Sequence, residues 1–231
     1  MDKPTVIQAP SLPKTHPFSR LSPEQLAYLE EHKTSRLYAE GEWVVHYGDN
    51  WPHIFYVESG EITALKESVE GRTLIVANIL PGELFWGLAF FNEQMPMWVS
   101  LQANQETKIS LWRRKDLLPI LYENGEFTWG LTCKLVARME RASEMVEELA
   151  FHPIAGRLAN LLLEHFGGHP EKFVERDLTL DEMAALIGTT REVVCRQLYR
   201  FASQELIQIN RTEFKIVDAD GLLKFAQKFK G

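Results

Sequence analysis

The chain has 231 residues, 45% hydrophobic and 25% charged, with a formal net charge of −7. That suits two modest globular domains or one large one. No apolar run approaches the ~20 residues that span a bilayer, and no apolar core follows a charged N-terminus as in a secretory signal. Cys133 and Cys195 are the whole cysteine complement, which excludes a disulfide framework or a paired-cysteine zinc site. The expectation is a cytoplasmic protein with no membrane association.

The negative charge is unevenly placed. Ala150–Gly231 carries 11 Lys+Arg against 11 Asp+Glu, so the acidic excess lies before it. A neutral C-terminal part can bind nucleic acid if its cations share one face, with modest non-specific affinity.

Residues 1–17 hold Pro4, Pro10, Pro13 and Pro17 with little periodicity and are expected to form a flexible arm. Ser22-Pro-Glu-Gln25 predicts a helix start, with a cap, proline at the first helical position and Gln three residues past the cap. That helix should run to about Lys33. Short strand-like runs follow at Trp43–Tyr47, Ile54–Val57, Glu61–Leu65, Thr73–Ala77 and Lys108–Trp112. Gly41, Gly48, Gly60, Gly71 and Gly82 punctuate them. This spacing predicts a β-barrel or double-sheet jelly roll over 18–125.

A long helix is expected over 126–150. Leu131, Leu135, Met139, Ala142, Val146 and Leu149 step by four or three, a narrow apolar seam. Two copies could pair along it as a homodimer, or the stripe could pack on its own barrel. Pro153 marks the boundary, and 151–231 should form the second domain. Ile154 to Phe166 reads as a helix ended by Gly167-Gly168. His165 and His169, four apart, flank those glycines and so share no helical face. The fold class is therefore α+β.

Thr179-x-x-Glu182 is a capping box, so a helix starts at Leu180. Met183, Ala184, Leu186 and Ile187 form its inner face, and Gly188 can end it in a left-handed conformation. Thr189 or Thr190 caps a second helix from Arg191 to about Gln204. Val194, Leu198 and Phe201 point inward, which leaves Arg191, Glu192, Cys195 and Arg196 outside. Ile207–Val217 reads as two short strands about a polar turn. Helices with a terminal hairpin make a winged helix-turn-helix, the unit that lays a helix in the major groove of double-stranded DNA.

A guanidinium spans O6 and N7 of guanine, and a carboxylate accepts from N4 of cytosine. Arg191 and Arg196 are the expected guanine readers and Glu192 the cytosine reader. Two plainer readings stand beside this: Glu192 could complete a second capping box from Thr189, and Arg191 could be a solvated cation. Thr179, Thr190, Gln197, Arg200 and Arg211 are candidate phosphate contacts. Cys195 reads as a packing residue rather than a redox sensor. No nucleophile–His–acid set, phosphate loop or metal-ligand cluster has usable spacing, so no enzyme activity is expected.

The order of barrel, seam helix, Pro-bounded hinge and winged helix resembles the cyclic-AMP receptor/fumarate-nitrate regulator (Crp/Fnr) family from about Phe18 onward. The resemblance rests on Gly60 after Phe55-Tyr-Val, Pro81-Gly-Glu, Leu149-Ala-Phe-His-Pro153 and Thr190-Arg-Glu-Val-Val-Cys-Arg196. It implies a bacterial transcription regulator with a double-stranded β-helix sensor domain, dimeric through the long helix. Its expected target is a palindrome of TGTGA-like half-sites read by Arg191, Glu192 and Arg196. RNA polymerase is the implied protein partner.

The resemblance breaks at the effector cassette. The family's Gly-Glu pair falls at Trp86-Gly87, its Arg-Ser pair at Met97-Trp98, and its adenine-contacting Thr at Ala142. Arg138 and Ser143 remain. Without a cation or a ribose acceptor, a cyclic phosphate would be buried unpaired, so cyclic AMP is not expected. Two readings stay open for the region of Trp86, Gly87, Leu88, Met97, Trp98, Arg138 and Ser143. It could form a pocket for haem or another apolar ligand, or a side-chain-filled scaffold. No His lies in this loop; His46 and His53 are elsewhere. Two cysteines cannot hold an iron–sulfur cluster. The alternative to a DNA-binding regulator is a sensory or protein-interaction module whose winged helix does not bind DNA.

Overall fold

The computed structural model describes residues 17–167, 172–210 and 212–227. Residues 1–16 of the expected arm, His169 and Arg211 lie outside them. The described chain divides into two compact units. One comprises the residues up to Thr63 with Asn78–Met139, the other Ala64–Ala77 with the residues from Glu140 onward.

The helix α1 (Pro23–Glu31) begins where the Ser22–Gln25 capping box and N1 proline place it. The strands β1 (Thr34–Tyr38), β2 (Trp43–Val45), β3 (His53–Ser59), β4 (Ile62–Glu67), β5 (Thr73–Ile79), β6 (Leu84–Trp86), β7 (Ser100–Ala103) and β8 (Thr107–Arg113) follow. They form two four-stranded sheets, β1-β8-β3-β6 and β2-β7-β4-β5, the two layers of a jelly roll. The predicted strand Trp43–Tyr47 stops at Val45. His46 and Tyr47 instead enter a turn, where the Asp49 carboxylate accepts from the backbone N–H of His46 at 3.0 Å.

The register of the first sheet explains its unbroken apolar runs. Phe55 pairs with Leu111 and with Phe85, and one residue away Ile54 pairs with Trp112 and with Trp86. Alternate residues point to opposite faces, and here both faces are covered. Ile54, Leu84, Trp86 and Trp112 form a core with Phe18, Leu21, Leu29, Leu117, Phe127 and Leu131. The Trp112 indole N–H donates to the Leu29 carbonyl at 2.8 Å, so the one polar atom of that ring is satisfied.

The helices α2 (Arg114–Glu123) and α3 (Gly125–Phe151) meet at Asn124. Its side-chain oxygen accepts from the Phe127 N–H at 2.9 Å and so caps the start of α3. The apolar stripe of α3 does not behave uniformly. Leu131 is buried in the core of its own chain. Leu135, Met139, Val146 and Leu149 are exposed to 37%, 65%, 66% and 37%, and Ala142 is exposed too. Leu131 thus leaves the expected seam, because it sits at the end of α3 that packs on the outward face of β3 and β6.

The second unit is built on α4 (Ile154–Phe166), whose Leu158, Ala159, Leu162 and Phe166 are buried. There follow β9 (Val174–Glu175), α5 (Leu180–Ile187), α6 (Arg191–Ser203), β10 (Ile207–Ile209), β11 (Glu213–Ile216) and α7 (Ala219–Gln227). The wing is three-stranded, in the order β10-β11-β9. Phe166, Met183, Val194, Leu198, Phe201, Phe214 and Leu222 share one core. The helix α7, not anticipated from the sequence, starts where the Asp218 carboxylate accepts from the Gly221 N–H at 2.8 Å, and it buries Leu222 and Ala226.

Candidate nucleic-acid interface and sensor cavity

The helix-turn-helix is assembled by local rules. Thr179 and Glu182 form a reciprocal capping box at the start of α5. Gly188 ends the helix at φ 64° and ψ 49°, the left-handed conformation that a Cβ disfavours. The Thr189 N–H then donates to the Ala184 carbonyl at 2.9 Å, which closes the turn. Thr190 takes the cap position of α6, with no side-chain bond to the backbone of the first turn.

Burial of Val194, Leu198 and Phe201 rotates the other side of α6 outward. Arg191, Glu192, Cys195 and Arg196 line one open concavity of about 500 Å³, together with Leu180 and Tyr199. The predicted trio is thus brought together on one surface. Two neighbours were missed, although their spacing was readable. Tyr199 lies three residues beyond Arg196 and four beyond Cys195 on the same face. Leu180 opens α5 beside them.

The charges on this surface are locally organised. The Arg191 guanidinium donates through Nη1 to Asp181 Oδ2 at 2.9 Å, with both side chains well exposed. Asp181, in the first turn of α5, was not anticipated as part of the site. The Glu192 carboxyl is held below its ordinary value, first by its own backbone N–H, then by the Thr190 hydroxyl and the Arg191 charge. It is therefore an ionised, acceptor-only group at neutral pH. Its partner is Thr190, not the Thr189 of the alternative capping box.

Several candidate phosphate contacts are already engaged. The Thr179 hydroxyl donates to Glu182 Oε2 at 2.7 Å and accepts from the Glu182 N–H at 3.1 Å, so its single proton serves the cap. Gln197 lies at the inner edge of α6, three residues after Val194, and its Oε1 is buried without a partner. The Arg200 guanidinium lies 5.6 Å from the centre of the Phe225 ring. Cys195 is half-buried and Cys133 exposed.

Of the candidate effector residues, Arg138 lies on Trp86 and Met97 lies against Gly87, whereas Trp98 and Ser143 are exposed. Trp86 is buried under α3, Met97 is buried, and Trp98 is 41% exposed. A Cβ on Gly87 would come within 2.1 Å of the Trp51 carbonyl oxygen and 3.1 Å of Met97 Sδ. Backbone and thioether therefore fill the space above that residue, and Leu88 begins a short 3-10 turn beside it. The Arg138 guanidinium sits 4.4 Å from the Phe85 ring centre and 4.6 Å from that of Trp86. It also donates through Nη2 to the Leu84 carbonyl on the edge strand β6. Ser143 is exposed.

An apolar cavity of about 90 Å³ lies between the sheet and α3. Ile54, Trp86, Phe91, Leu121, Thr128, Leu131, Thr132 and Leu135 line it. Trp86 alone of the tentative residues borders it, and its volume is far below the ~300–1,000 Å³ of ligand pockets. Among the described residues, no group of three or more His, Cys, Asp or Glu could hold a metal ion. No described helix is long and apolar enough to cross a membrane.

A jelly-roll barrel and long helix followed by a winged helix-turn-helix define a transcription regulator with a sensor-type domain. Residues 35–124 match the cyclic nucleotide-binding domain and residues 156–225 the Crp-like helix-turn-helix domain. The chain is 25% identical over 197 residues to the cAMP-activated global transcriptional regulator Vfr of Pseudomonas aeruginosa, covering 80% of this chain and 90% of that protein. It is 27% identical over 172 residues to the cAMP-activated global transcriptional regulator CRP of Haemophilus influenzae, covering 71% and 75%. The c-di-GMP responsive global regulator CLP of Xanthomonas campestris shares the fold, with a TM-score of 0.73 at 18% identity over 85% of this chain and 99% of that one. The chain belongs to the Crp/Fnr family of transcription regulators.

Proposed function

We propose that the protein is a cytoplasmic, homodimeric regulator that binds palindromic DNA with TGTGA-like half-sites and works with RNA polymerase. Arg191 and Arg196 read guanine, and Glu192 reads cytosine. The observation that carries this is their shared surface. Two guanidiniums and an ionised carboxylate stand on the outer side of a helix whose inner side is anchored by Val194, Leu198 and Phe201. Half-sites on such a dimer lie about one helical turn apart, ~10–11 base pairs. Thr190, Gln197, Arg200 and Arg211 are the phosphate contacts of this reading.

The exposed Leu135, Met139, Ala142, Val146 and Leu149 support pairing through α3. Cyclic AMP is not the effector. Met97 and Trp98 offer no cation to a phosphate, the space above Gly87 is filled, and Arg138 is engaged by two rings and a carbonyl. The side-chain-filled scaffold fits the small cavity better than a haem pocket.

Selection from randomised duplexes with the full chain tests the DNA reading. A symmetric consensus is expected. Arg191→Ala should cost about 1–3 kcal/mol at one guanine per half-site and relax preference there alone. Equal loss on every sequence would reassign Arg191 to the phosphates, and no selected sequence would favour the non-DNA module. Calorimetry with cyclic AMP should register no binding.

A further inference from the structure

Asp181 stands beside the three base readers, yet it is an anion on a surface that would face anions. Part of its placement is a helix-start role. It lies in the first turn of α5, where the helix dipole favours a carboxylate. That role does not require a partner, and Asp181 has one. Its Oδ2 accepts from Arg191 Nη1 at 2.9 Å, across the turn that joins α5 to α6.

Arg191 needs such a partner more than an ordinary surface arginine does. It is the first residue of α6, where the positive end of the helix opposes a cation. An unpaired arginine there would be swept through many rotamers, and ordering it on DNA would cost side-chain entropy. Pairing settles much of that ordering before DNA arrives. The pair uses one N–H of a planar group that has five, so an edge remains to span O6 and N7 of guanine. The carboxylate also repels phosphate, so it disfavours poses in which the guanidinium turns to the backbone.

We propose that Asp181 is a positioning residue that fixes the Arg191 guanidinium for guanine recognition and so sets base specificity at that one pair. This rests on the reading of Arg191 as a base contact. The test uses the full chain, the duplex selected by the wild type, duplexes altered at one pair at a time, and a random duplex. Fluorescence anisotropy gives the affinities of wild type, Asp181→Asn and Asp181→Ala, singly and in an Arg191→Ala background.

Both Asp181 variants should lose discrimination at the Arg191 pair alone, on the order of three- to fivefold, with the random duplex bound as well or better. In the Arg191→Ala background the same substitutions should change nothing at that pair. Because the readout is a ratio between duplexes, a loss of folded protein cancels from it. A parallel shift on every duplex, with base preference intact, would overturn the proposal and leave Asp181 a net-charge effect. A wild type whose preference survives Arg191→Ala unchanged would instead overturn the underlying reading, and the positioning role with it.

Discussion

Arg138→Ala separates two roles for a cation that the long helix holds against the barrel. If Arg138 is an internal clamp, its loss is a stability event. Its guanidinium lies 4.4 Å and 4.6 Å from two aromatic ring centres. Each such contact is worth ~0.5–2 kcal/mol, the larger values where water is excluded. Its bond to the edge carbonyl of Leu84 adds about 1.5 kcal/mol as a charged hydrogen bond. Ordering the side chain subtracts on the order of 1 kcal/mol. The net expectation is a loss of about 2–3 kcal/mol, or roughly 5–10 °C in Tm for a chain of this size. Arg138→Lys keeps the charge but not the flat face, and should lose about half as much. Urea unfolding at fixed protein concentration, followed by tryptophan fluorescence, measures this. A loss under about 0.5 kcal/mol would refute the clamp and return Arg138 to the effector candidates.

Thr179→Ala should cost about 1 kcal/mol of stability while leaving the salt dependence of DNA binding unchanged. A shallower salt slope would mark Thr179 as a phosphate contact after all. Met139→Asp combined with Val146→Asp places carboxylates on the exposed stripe of α3. Analytical ultracentrifugation should show dimer dissociation raised by about 100-fold or more, and an unchanged oligomeric state would remove α3 from the interface. His53 titrates below the ordinary imidazole value of 6.5, because burial and then Arg113 and Arg36 oppose its charge. The unfolded chain therefore binds the proton first, so its contribution is complete above pH 6.5 and lost as pH falls below it. His53→Asn should flatten that acid limb of stability, and an unaltered limb would assign it elsewhere.

The parts legible in the sequence are those governed by short-range rules. The Ser22 and Thr179 capping boxes, the Gly188 turn and the inward step of Val194, Leu198 and Phe201 each involve residues within one or two helical turns. All four appear where the pattern puts them. The strands β1, β6, β7 and β9 are not announced by the sequence: β1 is exposed along most of its length, and the others are only two to four residues long. The helix α2 was hidden by Pro119 in its interior, and α7 by a position after the wing that no periodic run announces. Non-local facts escaped altogether. That Leu131 leaves the seam for its own core, that Arg138 lies on two rings, and that Asp181 meets Arg191 ten residues on all depend on how distant elements pack.

The recognition surface balances its charge locally, and this bears on how such a protein finds its site. Arg191 pairs with Asp181, Glu192 and Arg196 share its surface, and the region from Ala150 carries equal numbers of each sign. Of the candidate phosphate contacts, Thr179 has committed its proton to Glu182. In the proposed reading only Arg200 and Arg211 of the phosphate contacts are cations, and each phosphate neutralised contributes about −0.9 to the slope of log K against log salt. With two or three such contacts per half-site, non-specific DNA should compete weakly. In the proposed dimer, discrimination then comes from the base edges and from the second subunit, which doubles the number of edges read. A surface of this kind trades grip on any duplex for dependence on the right one, so loss of dimerisation should damage binding more than loss of any one surface cation.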